Sequence, residues 1–229
     1  MAGTHGPGAP GTARPGPYHA AMLAKFMSLF LLGLVRLLTG AQARWYGCPP
    51  KAEQRIYFAN HQSHADLVMI WAALPRELRS ITRPIAAKDY WTTSPFRLWL
   101  TTKVFNAIYV DRNRTKDAEG VEQDPLEPLV EALHSGDSII IFPEGTRGHA
   151  AEPQSFKSGL YSLAMKFPNV VLVPAWINNV QRVMPKGEVI PVPVLCSVTF
   201  GAPMQLGPDE ERRTFLDRAR SAVIALRDV

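Results

Sequence analysis

Arg55-Ile56-Tyr57-Phe58-Ala59-Asn60-His61-Gln62-Ser63-His64-Ala65-Asp66-Leu67-Val68-Met69-Ile70-Trp71-Ala72-Ala73 is where the chain changes period. Its first five residues read as a buried strand, and His64 to Ala73 reads as a helix entered through a polar loop. About eighty residues later Phe142-Pro143-Glu144-Gly145-Thr146-Arg147 closes a second apolar run, Ser138 to Phe142. The first loop carries a histidine and a carboxylate five positions apart. The second carries a carboxylate, a glycine, a hydroxyl and a guanidinium.

Working outward, further strands are predicted at Arg83 to Ala87, Ala107 to Asp111, Val170 to Ile177 and Leu195 to Phe200. Helical patterns lie between them at Pro95 to Lys103, Leu126 to Leu133 and Phe156 to Phe167, with a last helix from about Asp209 to Leu226. Alternation of this kind predicts an α/β domain, residues 41–229, with a mostly parallel central sheet flanked by helices. The proline-rich stretch Pro185 to Pro193 reads as a surface loop, and no internal repeat is present.

The 229 residues suit one domain with a sizeable core, and 46% apolar with 20% charged residues marks a globular chain. A mean hydropathy of −0.06 argues against a multi-span membrane protein. The formal charge of +5 points to an anionic partner. The excess is local: Arg76, Arg79, Arg83, Lys88, Arg97, Lys103, Arg112, Arg114 and Lys116 face only Glu77, Asp89 and Asp111 in that stretch. A solvated face accounts for part of it. No helix-turn-helix, zinc module or aromatic RNA-binding signature accompanies the charge, so nucleic acid is not the expected partner. Cys48 and Cys196 have no metal-ligand spacing and read as free thiols in a reducing compartment.

Residues 1–17 are about half glycine and proline and read as a disordered tail. Residues 18–40 then form a very apolar helix, with Leu23, Phe26, Met27, Phe30, Leu34, Leu37 and Leu38 at helical spacing. Lys25 and Arg36 fall within about 20° of each other around its axis. The stretch free of charge, Phe26 to Val35, rises only about 15 Å against a bilayer core of roughly 30 Å. Spanning is therefore not expected. An interfacial membrane helix is the favoured reading. A helix packed on the domain is a second, and a secretory signal ending at Ala41-Gln42-Ala43 a third, weakened by Arg36.

Ser63 followed by Asp66 fits a capping arrangement, with a hydroxyl at the N-cap and an acid in the first turn. His61 then lies just before the cap, where a tight turn brings its ring towards the Asp66 carboxylate. A plain capped helix with two polar loop histidines is the competing account. Ser63 as a nucleophile is disfavoured by its cap role and by the lack of a Gly-x-Ser-x-Gly elbow; His64 reads as a spectator. In the second loop Gly145 permits close backbone approach, and Thr146 with the forked guanidinium of Arg147 suits a phosphate. A strand-ending turn with a surface arginine is the alternative there. If the strand ends converge, His61, Arg112, Glu144, Arg147 and Lys157 line one crevice.

From Ile56 to Pro203 the chain resembles the glycerolipid acyltransferase family, the group containing 1-acylglycerol-3-phosphate acyltransferase. The resemblance rests on Asn60-His61-x-Ser63-x-x-Asp66, on the complete Phe142 to Arg147 block, and on the weaker blocks Asn106 to Arg112 and Val173-Pro174-Ala175. It implies a glycerol-3-phosphate acyltransferase-like fold and acyl transfer from acyl-CoA or acyl carrier protein to a lysophospholipid hydroxyl. His61 is then the general base and Asp66 its orienting acid. Arg112, Glu144, Gly145, Thr146 and Arg147 shape the acceptor and phosphate site, with Lys157 beside them. No metal, cofactor or covalent acyl-enzyme is implied, and the expected place is the cytoplasmic face of the cell membrane. Two departures touch the acceptor side: Asn106 stands where glycine is frequent, and Gly148-His149 follows Arg147 where serine and arginine are frequent. A lyso-aminolipid acceptor, or a non-catalytic anion-binding membrane protein, are the alternatives.

Overall fold

The computed structural model describes residues 17–39, 42–63, 65–111, 124–148, 150–178 and 196–229. Arg112, His64, the Pro185 to Pro193 loop and residues 1–16 of the expected tail lie outside them.

Seven strands form one sheet: β1 (Gln42–Trp45), β2 (Arg55–Ala59), β3 (Thr82–Ala87), β4 (Ile108–Val110), β5 (Ser138–Ile141), β6 (Val171–Asn178) and β7 (Ser197–Phe200). Their spatial order is β1-β7-β6-β2-β5-β3-β4. Every neighbouring pair is parallel except β6 with β7, so β7 and β1 run against the other five. The sheet is thus mostly parallel, as the alternating pattern predicts.

Strand β2 sits near the middle, and all five of its residues are buried. Ile56 and Phe58 pack on one face with Ile139, Ile141 and Leu172; Tyr57 and Ala59 pack on the other with Ile140, Val173 and Ala175. Burial on both faces is why the strand reads as an uninterrupted apolar run rather than an alternating one. Helices α6 (Glu127–His134), α7 (Gly159–Lys166) and α8 (Arg212–Ile224) cover the first face. Helix α2 (Asp66–Ala73) and α3 (Arg76–Ser80) cover the second through Met69, Ile70, Ala73 and Leu78.

Three elements carry no expectation from the sequence: β1, α3 and α4 (Lys88–Trp91). Strand β1 lies at the sheet edge, with Gln42 opposite Ser197 and Trp45 stacked on Phe200 at 4.2 Å. Gln42 and Ala43, two of the three residues that resemble a cleavage site, are therefore paired with β7. The helix expected at Pro95 to Lys103 is α5 (Pro95–Trp99) continued by a π-helical turn, Leu100–Val104.

The N-terminal helix α1 runs over Pro17–Thr39. Between residues 21 and 34 its apolar side chains fall in two surroundings. Leu32 packs against Leu67, Trp71 and Phe105, while Met22, Leu23, Phe26, Leu29 and Phe30 stand at least half exposed. Among the described residues no helix is long and apolar enough to cross a membrane.

Candidate active site

Parallel pairing of β2 with β5 sets Phe58 opposite Ile141. Continuing each strand by three residues brings His61 and Glu144 side by side at the carboxyl ends, where ligands bind on open α/β sheets. Asn60 closes the end of β2 by gripping β6. Its Nδ2 donates to the Ile177 carbonyl at 3.1 Å and its Oδ1 accepts from the Ile177 amide at 2.8 Å.

Asp66 opens α2 and is buried. Its Oδ2 accepts from His61 Nδ1 at 2.9 Å and from the amides of Gln62 at 2.6 Å and Ser63 at 2.8 Å. An ionised carboxylate only accepts, so Nδ1 is the donor and Nε2 is the ring nitrogen that the acid leaves unengaged. No described residue bonds to Nε2. The ring stacks on Phe142, centroids 4.4 Å apart, with 18% of the side chain exposed. Ser63 differs from expectation: its hydroxyl accepts from the Ala65 amide at 3.2 Å and caps nothing in α2, which starts at Asp66. The acid ties the loop from within the first turn, so no hydroxyl cap is needed.

Glu144 is also buried, and it faces inward. Oε1 accepts from the His61 amide at 2.7 Å and Oε2 from the Gln154 amide at 2.8 Å. Burial pushes its pKa up, and the two amides oppose that shift. The Gly148 amide donates to the His61 carbonyl at 2.8 Å, and a Cβ on Gly148 would stand 3.1 Å from Glu144 Oε2. The main chain of His61 is therefore held at both polar groups by the second loop.

A cavity of about 950 Å³ opens beside His61. Ile85, Val110, Leu129, Ile141, Leu160 and Leu163 make its apolar wall, and Gly145, Thr146, Lys157, Asp111 and Asp124 supply polar ones. Of the predicted site residues, His61, Gly145, Thr146 and Lys157 thus share one cavity. Glu144 does not line it, and Arg147 is exposed in the same turn just outside it. Asp66 stands behind His61. Gly145 takes φ +68, a left-handed conformation that favours glycine, and a Cβ there would stand 2.8 Å from Lys157 Nζ. Asn106 takes φ +49, so the residue in the glycine position adopts the backbone that glycine would, as asparagine tolerates best among side-chain-bearing residues.

The sequence reading assigned no role to Asn60, Phe142, Gly148 and Gln154. Phe142 and Gly148 flank the Pro-Glu-Gly-Thr-Arg run, so adjacency was a signal. Nothing local marks the Gln154 amide.

The chain belongs to the Acyltransferase family, whose model matches residues 48–178. It is similar to the 1-acyl-sn-glycerol-3-phosphate acyltransferase alpha of Homo sapiens, 31% identical over 168 residues, covering 72% of this chain and 55% of that protein. It is also 29% identical over 150 residues to the protein named Taffazin of Dictyostelium discoideum, covering 60% of this chain and 49% of that one. The chain spans about half the length of these curated relatives. Its fold matches the crystal structure of the 1-acyl-sn-glycerophosphate (LPA) acyltransferase PlsC from Thermotoga maritima, with a TM-score of 0.64 and 21% identity over 93% of this chain and 82% of that one.

Proposed function

We propose that the protein transfers a fatty acyl group from acyl-CoA or acyl carrier protein to the free hydroxyl of 1-acylglycerol-3-phosphate, giving phosphatidic acid. The observation that carries this reading is the 2.9 Å contact of Asp66 Oδ2 with Nδ1 of His61, which itself lines the cavity. An alcohol has a pKa far above 7 and needs a positioned base, which contributes about 10² to 10⁴ in rate.

In this mechanism Nε2 of His61 takes the acceptor hydroxyl proton as the oxygen attacks the thioester carbonyl. The Asp66 carboxylate stabilises the imidazolium so formed. Collapse of the tetrahedral oxyanion breaks the carbon–sulfur bond, and the leaving thiolate takes the proton back from the ring. Thr146, Arg147 and Lys157 receive the acceptor phosphate, joined by Arg112 of the adjoining segment, while the Gly145 turn gives the ligand close access to the main chain. The apolar wall from Ile85 to Leu163 accommodates acyl chain. Helix α1 rests on the cytoplasmic membrane face through Met22, Leu23, Phe26, Leu29 and Phe30, with Lys25 near the head groups.

Asp124 on the cavity wall favours a second acceptor, a lyso-aminolipid whose ammonium group pairs with it. Purified protein incubated with labelled acyl-CoA or acyl carrier protein against a panel of lysolipids tests both. Transfer to lysophosphatidate supports the first reading and transfer to a lyso-aminolipid alone replaces it. No transfer to any acceptor refutes both.

A further inference from the structure

We infer that the C-terminal helix α8 sets the position of His61 through a strut of hydrogen bonds in which Arg220 and Glu144 are positioning residues. The inference rests on His61 being the base proposed above. Helix α8 is anchored in the core by Phe215, Leu216, Ala219 and Val223. From it, Arg220 Nε donates to the Pro153 carbonyl at 2.8 Å, and Arg220 Nη2 reaches Glu152 Oε2 at 3.2 Å. The next residue, Gln154, gives its amide to Glu144 Oε2, and Glu144 Oε1 receives the His61 amide. Three short segments of chain are thereby fixed in line: the 152–154 turn, the Glu144 turn ten residues before it and, 83 residues from Glu144, the His61 loop.

This strut does something that Asp66 cannot. All three hydrogen bonds to Asp66 Oδ2 come from residues 61–63, so the acid ties the histidine to the start of its own helix α2 and not to the second loop. Glu144 ties that loop to the turn that also carries Thr146 and Arg147, and the Lys157 amide is bound to the Pro143 carbonyl at 2.8 Å in the same turn. Base and cations are therefore referred to a common frame. The carboxylate is suited to the task because it accepts two N–H groups at once. A glutamine there offers one oxygen and turns an NH2 group on the other amide. A displacement of about 1 Å at the reacting group costs about 10²-fold in rate.

The test compares Glu144→Gln, Arg220→Met and Arg220→Lys in the full chain by steady-state kinetics and by hydrogen exchange at the His61 and Gln154 amides. Glu144→Gln should lower kcat by about 10²-fold and Arg220→Met by about tenfold, each with the acceptor KM unchanged. Arg220→Lys, which still donates to the Pro153 carbonyl, should recover most of the loss. Exchange at both amides should quicken in the order of the kcat losses. A raised acceptor KM at intact kcat in Glu144→Gln overturns the inference, because it assigns Glu144 to acceptor binding. So does Arg220→Met with wild-type kcat and wild-type exchange. The Arg220 variants sit on a partly exposed helical position and keep an apolar stem, so they fold even where Glu144→Gln does not. If wild-type protein transfers no acyl group, the proposed function fails, and the exchange rates still decide whether the strut exists.

Discussion

The two loops at the top of the sheet are built in opposite ways. On the histidine side, Asp66 and Glu144 are each about 1% exposed, and five N–H groups point at their oxygens. On the cation side, Thr146, Arg147 and Lys157 are exposed, and their side chains make no hydrogen bond among the described residues. A base has to be oriented before the substrate arrives, because reorienting it during the reaction adds to the barrier. An anion grip has the opposite requirement. Cations left in water are cheap to keep and are paired by the incoming phosphate itself. In the mechanism proposed above, the molecule is tightly hydrogen-bonded where a proton moves and open where charge is collected.

The largest effect that tests this contrast is His61→Ala. Loss of the base should lower kcat by about 10² to 10⁴. The fold should survive, since Glu144 and Gly148 hold the main chain of residue 61; the stack on Phe142 and the Nδ1 bond to Asp66 are lost, each worth about 1 kcal/mol, while Asp66 keeps the Gln62 and Ser63 amides. An activity assay beside a thermal melt measures both. An active His61→Ala protein removes the base from the mechanism.

Asp66→Asn comes next. The asparagine oxygen can take the place of Oδ2 and keep the three N–H contacts, while the negative charge behind the imidazolium is gone. A hydrogen bond to a charged partner exceeds a neutral one by about 1 kcal/mol, so kcat should fall by about fivefold with acceptor KM close to wild type. Turnover equal to wild type would mean that orientation without charge is sufficient.

How far the contrast was legible in the sequence differs between its halves. Strands β2 and β5 were legible because burial on both faces writes a run of apolar residues that polarity cannot interrupt. His61 with Asp66 was legible because five residues of chain suffice to close the contact. The inward turn of Glu144 was not: a carboxylate after a strand has the same neighbours in sequence whether it faces a ligand or an amide ten residues later. The register Phe58 opposite Ile141 decides it, and register between distant strands is set by the packed sheet. Strand β1 was missed for a similar reason, with only 4 residues, a half-exposed pattern and a partner at Ser197 to Phe200. Helices α3 and α4, with 5 and 4 residues, are too short to show a period.

On the open side, Arg147→Ala should leave kcat nearly intact and raise the acceptor KM several-fold, about 1 kcal/mol, if the acceptor carries phosphate. The same penalty should shrink as salt is added, because an exposed cation is screened over about 10 Å at 0.1 M. A kcat loss without a KM change would transfer Arg147 to the tightly hydrogen-bonded half of the comparison.

The smallest effect reads the closed half from below. Cys196 is buried in the same apolar cluster as Met69 and Ile70 of α2, and burial, with a lesser contribution from the negative Asp66, pushes its thiol up to about 11. Cys48 is raised as well, by burial at the other end of the sheet near Arg55. A raised thiol pKa means less thiolate at a given pH, so at pH 8 Cys196 should hold about 10²-fold less thiolate than a free cysteine. Iodoacetamide should therefore label neither cysteine in the folded protein at a rate near that of the unfolded chain. In Asp66→Asn the Coulombic part vanishes while burial stays, so labelling of Cys196 should quicken slightly and that of Cys48 should not. Mass spectrometry of the two peptides measures this, with Cys48 as the internal control. Labelling of Cys196 at the unfolded rate in the wild-type protein would show the histidine side to be open to solvent, and the contrast between the two loops would collapse.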